Sequence, residues 1–412
     1  MRGGWKIVKF SDLFKNPKKA IISGPFGSNL KSAEYKDEGV PLVRLQNVDR
    51  WNFINKNIIY ITHAKAKELS SHAYKSGDIL ISKLGAPLGK ACIAPESSSE
   101  GIILADIVRV RLDPNSEDKK YIVYQINSEY IANQLKELTT GATRPRVTLK
   151  NVRELNFAIP PLEEQKQIVA ILDKAFAAID LAKANIEKNI ANAKELFQSK
   201  LNDIFSQKGD GWEEKTFQDL SSRIGDGLHG TPKYDENGEY FFINGNNLNN
   251  GEIEIKGNTK RVNKSEYLKH KRDLNGNTVL VSINGTLGYV AFYNDEPVIL
   301  GKSACYINFN KEVNKHYIKY LIKSPLFFEN MANMSTGATI KNFSLKSMRN
   351  YKLRLPPFTI QESIVQELEL LENSILKIES NYTKKRDDLE ELKKSILQKA
   401  FAGELMGKEV VV

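Results

Sequence analysis

The stretch TTGATRPRVTLKNVRELNFAIPPLEEQKQI (residues 139–168) returns later in altered form, as STGATIKNFSLKSMRNYKLRLPPFTIQESI (residues 335–364). The two lie 196 residues apart. Both carry Thr-Gly-Ala-Thr, a basic loop, a strand-like run, a Pro-Pro pair and then a Gln. The correspondence spreads outward. GWKIVKFSDLF from Gly4 matches GWEEKTFQDLS from Gly211, and SGDILISKLGAPLGKACIAP near residue 80 matches NGNTVLVSINGTLGYVAFYN near residue 280. YIVYQINSE from Tyr121 matches YIKYLIKSP from Tyr317. The offset drifts from 207 at Trp5 and Trp212 to 196 at the Pro-Pro pairs, so insertions fall inside the repeated unit. A period near 200 is too long for a solenoid and reads as two copies of a whole domain.

Each copy changes texture at its Pro-Pro. Before it come short β-type runs such as PLVRL, DILIS and IVRVRL, then EYFFI, TVLVSI and ACYINF, separated by turn signals and mixed with short helical segments. That pattern predicts an α+β globule. After it, apolar residues fall at alternating spacings of four and three. The first stripe is Ile168, Leu172, Ala175, Ile179, Ala182, Ile186, Ala193 and Leu196. The second is Ile364, Leu368, Leu371, Ile375, Ile378, Tyr382, Leu389, Leu392 and Ile396. No Pro interrupts either, so each predicts a helix of about 40 residues, roughly 60 Å long, with a coiled-coil seam. Asn189 and Lys385 interrupt the stripes at matching places, as residues that fix register do. A two-fold relation between the copies would pair the helices antiparallel, set the globules at opposite ends of a rod and bring the chain ends together. The expected boundaries are 1–160 and 209–356 for the globules, 161–208 and 357–412 for the helices.

Composition bounds the function. The chain has 412 residues, 41% hydrophobic and 27% charged, with a formal charge of +10. That balance fits a soluble protein with a polyanionic partner and equally a merely basic soluble protein. Cys92 and Cys305 imply no disulfide framework. With no 18-residue apolar run and no signal-peptide core in MRGGWKIVKF, a cytoplasmic location and no membrane contact are expected. The five histidines form no pair with metal-ligand spacing. Walker-type loops and Gly-x-Ser-x-Gly elbows are absent. The LPPF at Leu355–Phe358 has Leu where an adenine methyltransferase has Asn or Asp, so it lacks the group that bonds the adenine amine. No catalytic or metal-binding residue is therefore expected.

What remains is polar loop chemistry. TGATRPRVTLKN offers Thr140, Thr143, Arg144, Arg146 and Lys150; TGATIKNFSLK offers Thr336, Thr339, Lys341, Asn342 and Lys346. Such side chains satisfy phosphate oxygens. SGPFGSNLKS places Ser28, Asn29 and Lys31 beside glycines, and DGLHGTPKY does the same with His229, Thr231 and Lys233. VRLQNVD offers Arg44, Gln46 and Asn47; INGNNLNN offers Asn244, Asn246 and Asn247. Lys83 and Asn284 fall in the matched stretches near residues 80 and 280. Arg grips guanine, and Asn or Gln grips adenine, through paired hydrogen bonds in the major groove. A DNA-binding role is expected of these loops.

The whole chain resembles the specificity (S) subunit of Type I restriction–modification systems. The carriers are the order globule, helix, globule, helix; GW…F-x-DL at Trp5 and Trp212; DGLHGTP at Asp226–Pro232; the two TGAT loops; and IPPLEEQKQIVAILD at Ile159–Asp173, echoed by LPPFTIQESIVQELE at Leu355–Glu369. The resemblance implies two target-recognition domains, each reading one half of an asymmetric, bipartite site in double-stranded DNA. It implies that the helices measure the spacer and dock two modification subunits, and that two restriction subunits join them. It implies that S-adenosylmethionine, ATP and Mg2+ are used by those partners and none by this chain. The competing expectations are a coiled-coil scaffold without sequence-specific DNA binding and a self-sufficient DNA-modifying enzyme.

Overall fold

The computed structural model describes residues 4–25, 29–96, 100–114, 116–139, 145–334 and 342–405. The fold is α+β, and two helices of 45 residues, Leu162–Ser206 and Phe358–Ala402, follow the two Pro-Pro pairs. The chain divides into two compact units, Met1–Asn185 with Lys384–Val412, and Ile186–Thr383. Each unit thus combines one globule with part of each long helix.

In the first unit, Lys6–Lys9 pairs antiparallel with Asn156–Ile159, tying the start of the globule to the strand before the Pro-Pro. One four-stranded antiparallel sheet runs in the order Ile21–Ser23, Ile107–Val110, Ile79–Ser82, Ala91–Ile93. A second sheet runs Ile59–Ile61, Val40–Val43, Gly101–Ile103, Ala73–Tyr74, with its central pair parallel. The Ile79–Ser82 strand is buried on both faces, which is why Ile79, Leu80 and Ile81 follow one another without polar alternation.

The second unit repeats this plan. Glu213–Thr216 pairs with Lys352–Leu355. An antiparallel sheet runs Ser221–Asp226, Ala304–Phe309, Thr278–Ser282, Val290–Phe292. A three-stranded sheet runs Lys260–Val262, Tyr240–Ile243, Val298–Leu300, again with one parallel pair. Equivalent glycines hold equivalent crossings. A Cβ at Gly24 would sit 2.2 Å from the Leu104 carbonyl carbon, and one at Gly227 would sit 2.0 Å from the Leu300 oxygen. Only glycine permits that approach.

The repeated Gln now has a structural reason. Gln165 is buried; its Oε1 accepts the Asp118 N–H at 2.9 Å, and its Nε2 donates to the Pro160 carbonyl at 2.9 Å and to the Glu117 carboxylate. Gln361 accepts the Asn314 N–H at 2.8 Å and donates to the carbonyls of Glu312 (3.0 Å) and Pro356 (2.9 Å). In each unit one amide clamps the start of a long helix to the loop that opens the Lys119–Ile126 or Lys315–Lys323 helix.

Within each unit the long helices run antiparallel. Asp180 faces Lys393 at 3.2 Å and Lys183 pairs with Glu390 in the first. Asn189 donates to the Tyr382 hydroxyl at 3.2 Å, Lys194 meets Glu379 at 3.1 Å and Lys200 meets Glu367 at 2.7 Å in the second. Asn189 thus bonds across the pair, as a register-fixing residue does, although it sits at an exposed edge.

The seam is not a helix-to-helix stripe alone. In the first unit Ile168, Leu172, Phe176, Leu397 and Phe401 join a core built on Phe10, Tyr121 and Phe157. In the second, Phe197, Leu201, Ile204, Leu368 and Ile375 join Phe217, Tyr317 and Phe327. Each globule is therefore welded to its helices by apolar burial, at about 1.5–3 kcal/mol per large side chain. This overturns part of the predicted seam. Leu196 is 62% exposed, Leu392 47% and Ile378 39%. A straight helix drifts against a strict seven-residue repeat, and the globule captures the neighbouring positions instead. Phe197 packs on Tyr320, and Lys393 lies 4.8 Å from the Trp51 ring and 4.5 Å from Phe176.

Polar groups finish both weldings. The Tyr124 hydroxyl donates to Asp173 at 2.6 Å, and Lys120 pairs with the same carboxylate. The Tyr320 hydroxyl donates to Glu372 at 2.9 Å, with Lys323 at 2.9 Å and Lys319 at 3.6 Å.

Candidate nucleic-acid interface

In the first unit the segment after the TGAT loop lies against the hairpin between Ile79–Ser82 and Ala91–Ile93. A β-bridge joins Leu84 to Arg146, and the Val147 N–H donates to the Lys83 carbonyl at 3.0 Å. Lys83 and Arg146 therefore come together. Asp106 organises them: its carboxylate accepts from Arg146 at 2.6 Å, and its carbonyl accepts the Lys83 N–H at 2.8 Å. Lys83 Nζ donates to the Ser23 hydroxyl at 2.6 Å, and His72 Nδ1 lies 2.7 Å from the Ser23 carbonyl oxygen. Burial pushes the Lys83 ammonium below its usual value; Asp106 opposes that shift and Arg146 adds to it. The result is a cationic cluster with one carboxylate at its centre.

The other proposed residues of this unit divide. Arg44 and Gln46 both donate to the Asn57 carbonyl, at 2.5 and 3.3 Å. Asn29 and Lys31 are exposed, with the Lys31 N–H on Glu34. Asn47 departs from the expectation. It is fully buried, accepts from the Arg44 N–H and donates to the carbonyls of Ile54 and Lys56. Its amide holds its own loop and reads nothing outside. Asn247 does the same work in the second unit, accepting from Asn244 N–H and donating to Glu254 and Thr259.

The second unit builds the same framework with other side chains. A β-bridge joins Asn284 to Asn342, and the Phe343 N–H donates to the Ile283 carbonyl at 2.8 Å. The Asn284 amide reaches the Lys302 carbonyl at 3.4 Å. Ser303 Oγ donates to Asn244 Oδ1 at 3.0 Å, and the Lys302 N–H donates to the Leu228 carbonyl at 3.0 Å, next to His229. His229 itself bonds Asp226 at 2.7 Å. Thr231, Lys233 and Asn246 are exposed; the Lys233 N–H is held by Glu266. Asn244, Asn284, Asn342 and His229 are thus gathered around residues 301–303. Ser28, Thr140, Thr143, Arg144, Thr336, Thr339 and Lys341 lie outside the described residues.

Sequence reasoning missed His72, Asp106, Arg272, Lys302 and Ser303. Arg272 Nε donates to the Asp226 carbonyl at 3.1 Å, the counterpart of His72 on Ser23. None stands in a motif; only strand pairing brings them to the site. Among the described residues no His, Cys, Asp or Glu group is arranged to hold a metal ion, and no helix is long and apolar enough to cross a membrane.

Comparison with known proteins places this architecture. The Type I restriction modification DNA specificity domain family matches residues 3–192 and again 209–386. The EcoKI specificity subunit of Escherichia coli K12 is 24% identical, over 98% of this chain and 89% of that one. The StySPI specificity subunit of Salmonella potsdam is 24% identical over the same shares. Among solved structures, a chain of a type I R-M system superposes with a TM-score of 0.72 at 19% identity, covering 98% and 99% of the two chains. The HsdS subunit from Thermoanaerobacter tengcongensis gives 0.59 at 17% identity, covering 98% of each. With two copies of the DNA specificity domain spanning most of its length, this chain belongs to the family of Type I restriction–modification specificity subunits.

Proposed function

We propose that this chain is the non-catalytic recognition subunit of a cytoplasmic restriction–modification enzyme, and that each globule reads one half of an asymmetric, bipartite target in double-stranded DNA. The observation that carries this is the doubled framework: the same strand crossings present Lys83 and Arg146 in one unit and Asn284 and Asn342 in the other. A repeated scaffold with unlike polar groups suits a two-part target with unlike halves. The helix pair sets the unread spacer between them.

The same helices dock two modification subunits, and two restriction subunits complete the assembly. Leu196 and Leu392 support this. They are 196 residues apart, hold corresponding places in the two units and stay exposed, where an unburied leucine suits a docking face. Methyl transfer, translocation and cleavage belong to the partners, which use S-adenosylmethionine, ATP and Mg2+.

The test is to assemble the chain with its modification subunits, let the complex methylate a library of random DNA and sequence the modified adenines. A motif of two specified parts around an unread gap is the expected result. Methylation without sequence preference, or methyl transfer or cleavage by this chain alone, overturns the reading.

A further inference from the structure

The two units can be compared position by position, because their frameworks make the same backbone bonds. The N–H groups of Val147 and Phe343 reach the carbonyls of Lys83 and Ile283; the N–H groups of Lys83 and Ile283 reach those of Asp106 and Ser303. The N–H groups of Leu104 and Gly301 reach those of Val43 and Ile243. The bridge from Leu84 to Arg146 is matched by that from Asn284 to Asn342. Arg146 and Asn342 therefore occupy one position, Leu84 and Asn284 another, and Asp106 and Ser303 a third.

The chemistry at these positions differs in kind. In the first unit the groups are Arg146, with the neighbouring Lys83, and both only donate hydrogen bonds. The Arg146 side chain is 57% exposed, and the Asp106 carboxylate at 2.6 Å orients its guanidinium. In the second unit Asn342 is exposed beside Asn284, and an amide both donates and accepts. At the Asp106 position stands Ser303, whose hydroxyl is spent on Asn244, so no carboxylate balances a cation there. A base edge with two acceptors, guanine N7 and O6, suits the first arrangement. One acceptor beside one donor, adenine N7 and N6, suits the second.

Building on the function proposed above, we propose that Arg146 selects a guanine in the half-site read by the first unit, and that Asn342, with Asn284, selects an adenine at the corresponding place in the half-site read by the second. Asp106 is a positioning residue: it holds the guanidinium fork in place and touches no base.

The experiment uses the assembled methylating complex and the same sequencing of modified DNA. Arg146→Lys keeps the charge and loses the fork, so it also controls for folding. It is expected to relax one guanine position about tenfold to a hundredfold, leaving the other half-site and the salt dependence unchanged. Asn342→Ala should relax one adenine position in the other half-site by a similar factor. Asp106→Asn should weaken preference at the Arg146 position only, where a merely structural loss would depress methylation at both halves alike. If Arg146→Lys leaves every base preference intact while Arg146→Ala weakens binding uniformly and lowers the salt slope by about one, Arg146 is a phosphate contact and the assignment is overturned. A changed base other than guanine, or a change in the half-site assigned to the other unit, overturns it as well. These outcomes are read against a wild-type complex that still yields a two-part motif; its failure to do so sinks the function instead.

Discussion

Asn47 and Arg146 look alike in the sequence, as polar residues in loops of a basic protein, yet the structure gives them opposite work. Asn47 is surrounded by its own chain and uses its amide on three backbone groups of the 44–56 loop. Arg146 keeps more than half its side chain in solvent. Asn47→Ala is expected to destabilise the first unit by about 1–3 kcal/mol, since it strands buried partners, and to leave the bases specified unchanged. Denaturant unfolding beside sequencing of the modified DNA separates the two effects; a change of one base preference with unaltered stability would count against the structural role. Gln165 and Gln361 belong with Asn47. They are buried clamps whose recurrence in the two Pro-Pro stretches was legible, whereas their partners, Asp118 and Asn314, were not.

At the scale of elements, the long helices were legible because a seven-residue apolar rhythm without Pro has few other solutions. Their contact with the globules was not, since period alone does not say which neighbour covers a face. The Glu372 cluster marks that contact in the second unit. Burial acts to raise the Glu372 carboxyl, but bonds from Lys323 and Tyr320 and the nearby Lys319 charge hold it below its ordinary 4.5. A carboxyl held low in the folded state stabilises fully above that ordinary value and progressively less as pH falls through its folded value. Glu372→Gln should therefore destabilise the second unit by about 1–3 kcal/mol near neutrality, leaving Lys319 without its counter-charge. Wild-type and variant melting temperatures should begin to converge as pH falls below the ordinary 4.5 and should meet once it has passed through the lowered folded value; a gap that persists in strong acid would show that the charge is not the cause. Leu196→Lys and Leu392→Lys test the exposed positions. Stability should move by less than about 0.5 kcal/mol, because both positions are largely solvent-facing, while copurification with the modification subunits should fall. Unchanged copurification would remove them from the docking face.

For the whole molecule, the proposed division of labour places the spacer in the helices and the half-sites in the globules. Inserting four residues, about one helical turn, near Asn189 should change the length of the unread gap and leave both half-sites as they were. Altered half-sites around an unchanged gap would refute that division. Binding should also weaken with salt, log affinity falling by about 0.9 per phosphate contact for each unit of log salt concentration. A response flat in salt would leave the charge of +10 without the role proposed for it.

What the sequence determined by itself was the doubled plan: two α+β globules, each followed by a long amphipathic helix. Repeats and apolar periods are local and survive being read along one dimension. What only the tertiary structure decided was membership. It buried Asn47, exposed Leu196 and Leu392, fused each globule to its helices through one core, and set Asp106 between Lys83 and Arg146. These outcomes depend on strand crossings between segments tens of residues apart. No local pattern encodes which side chains a crossing will enclose and which it will leave facing water.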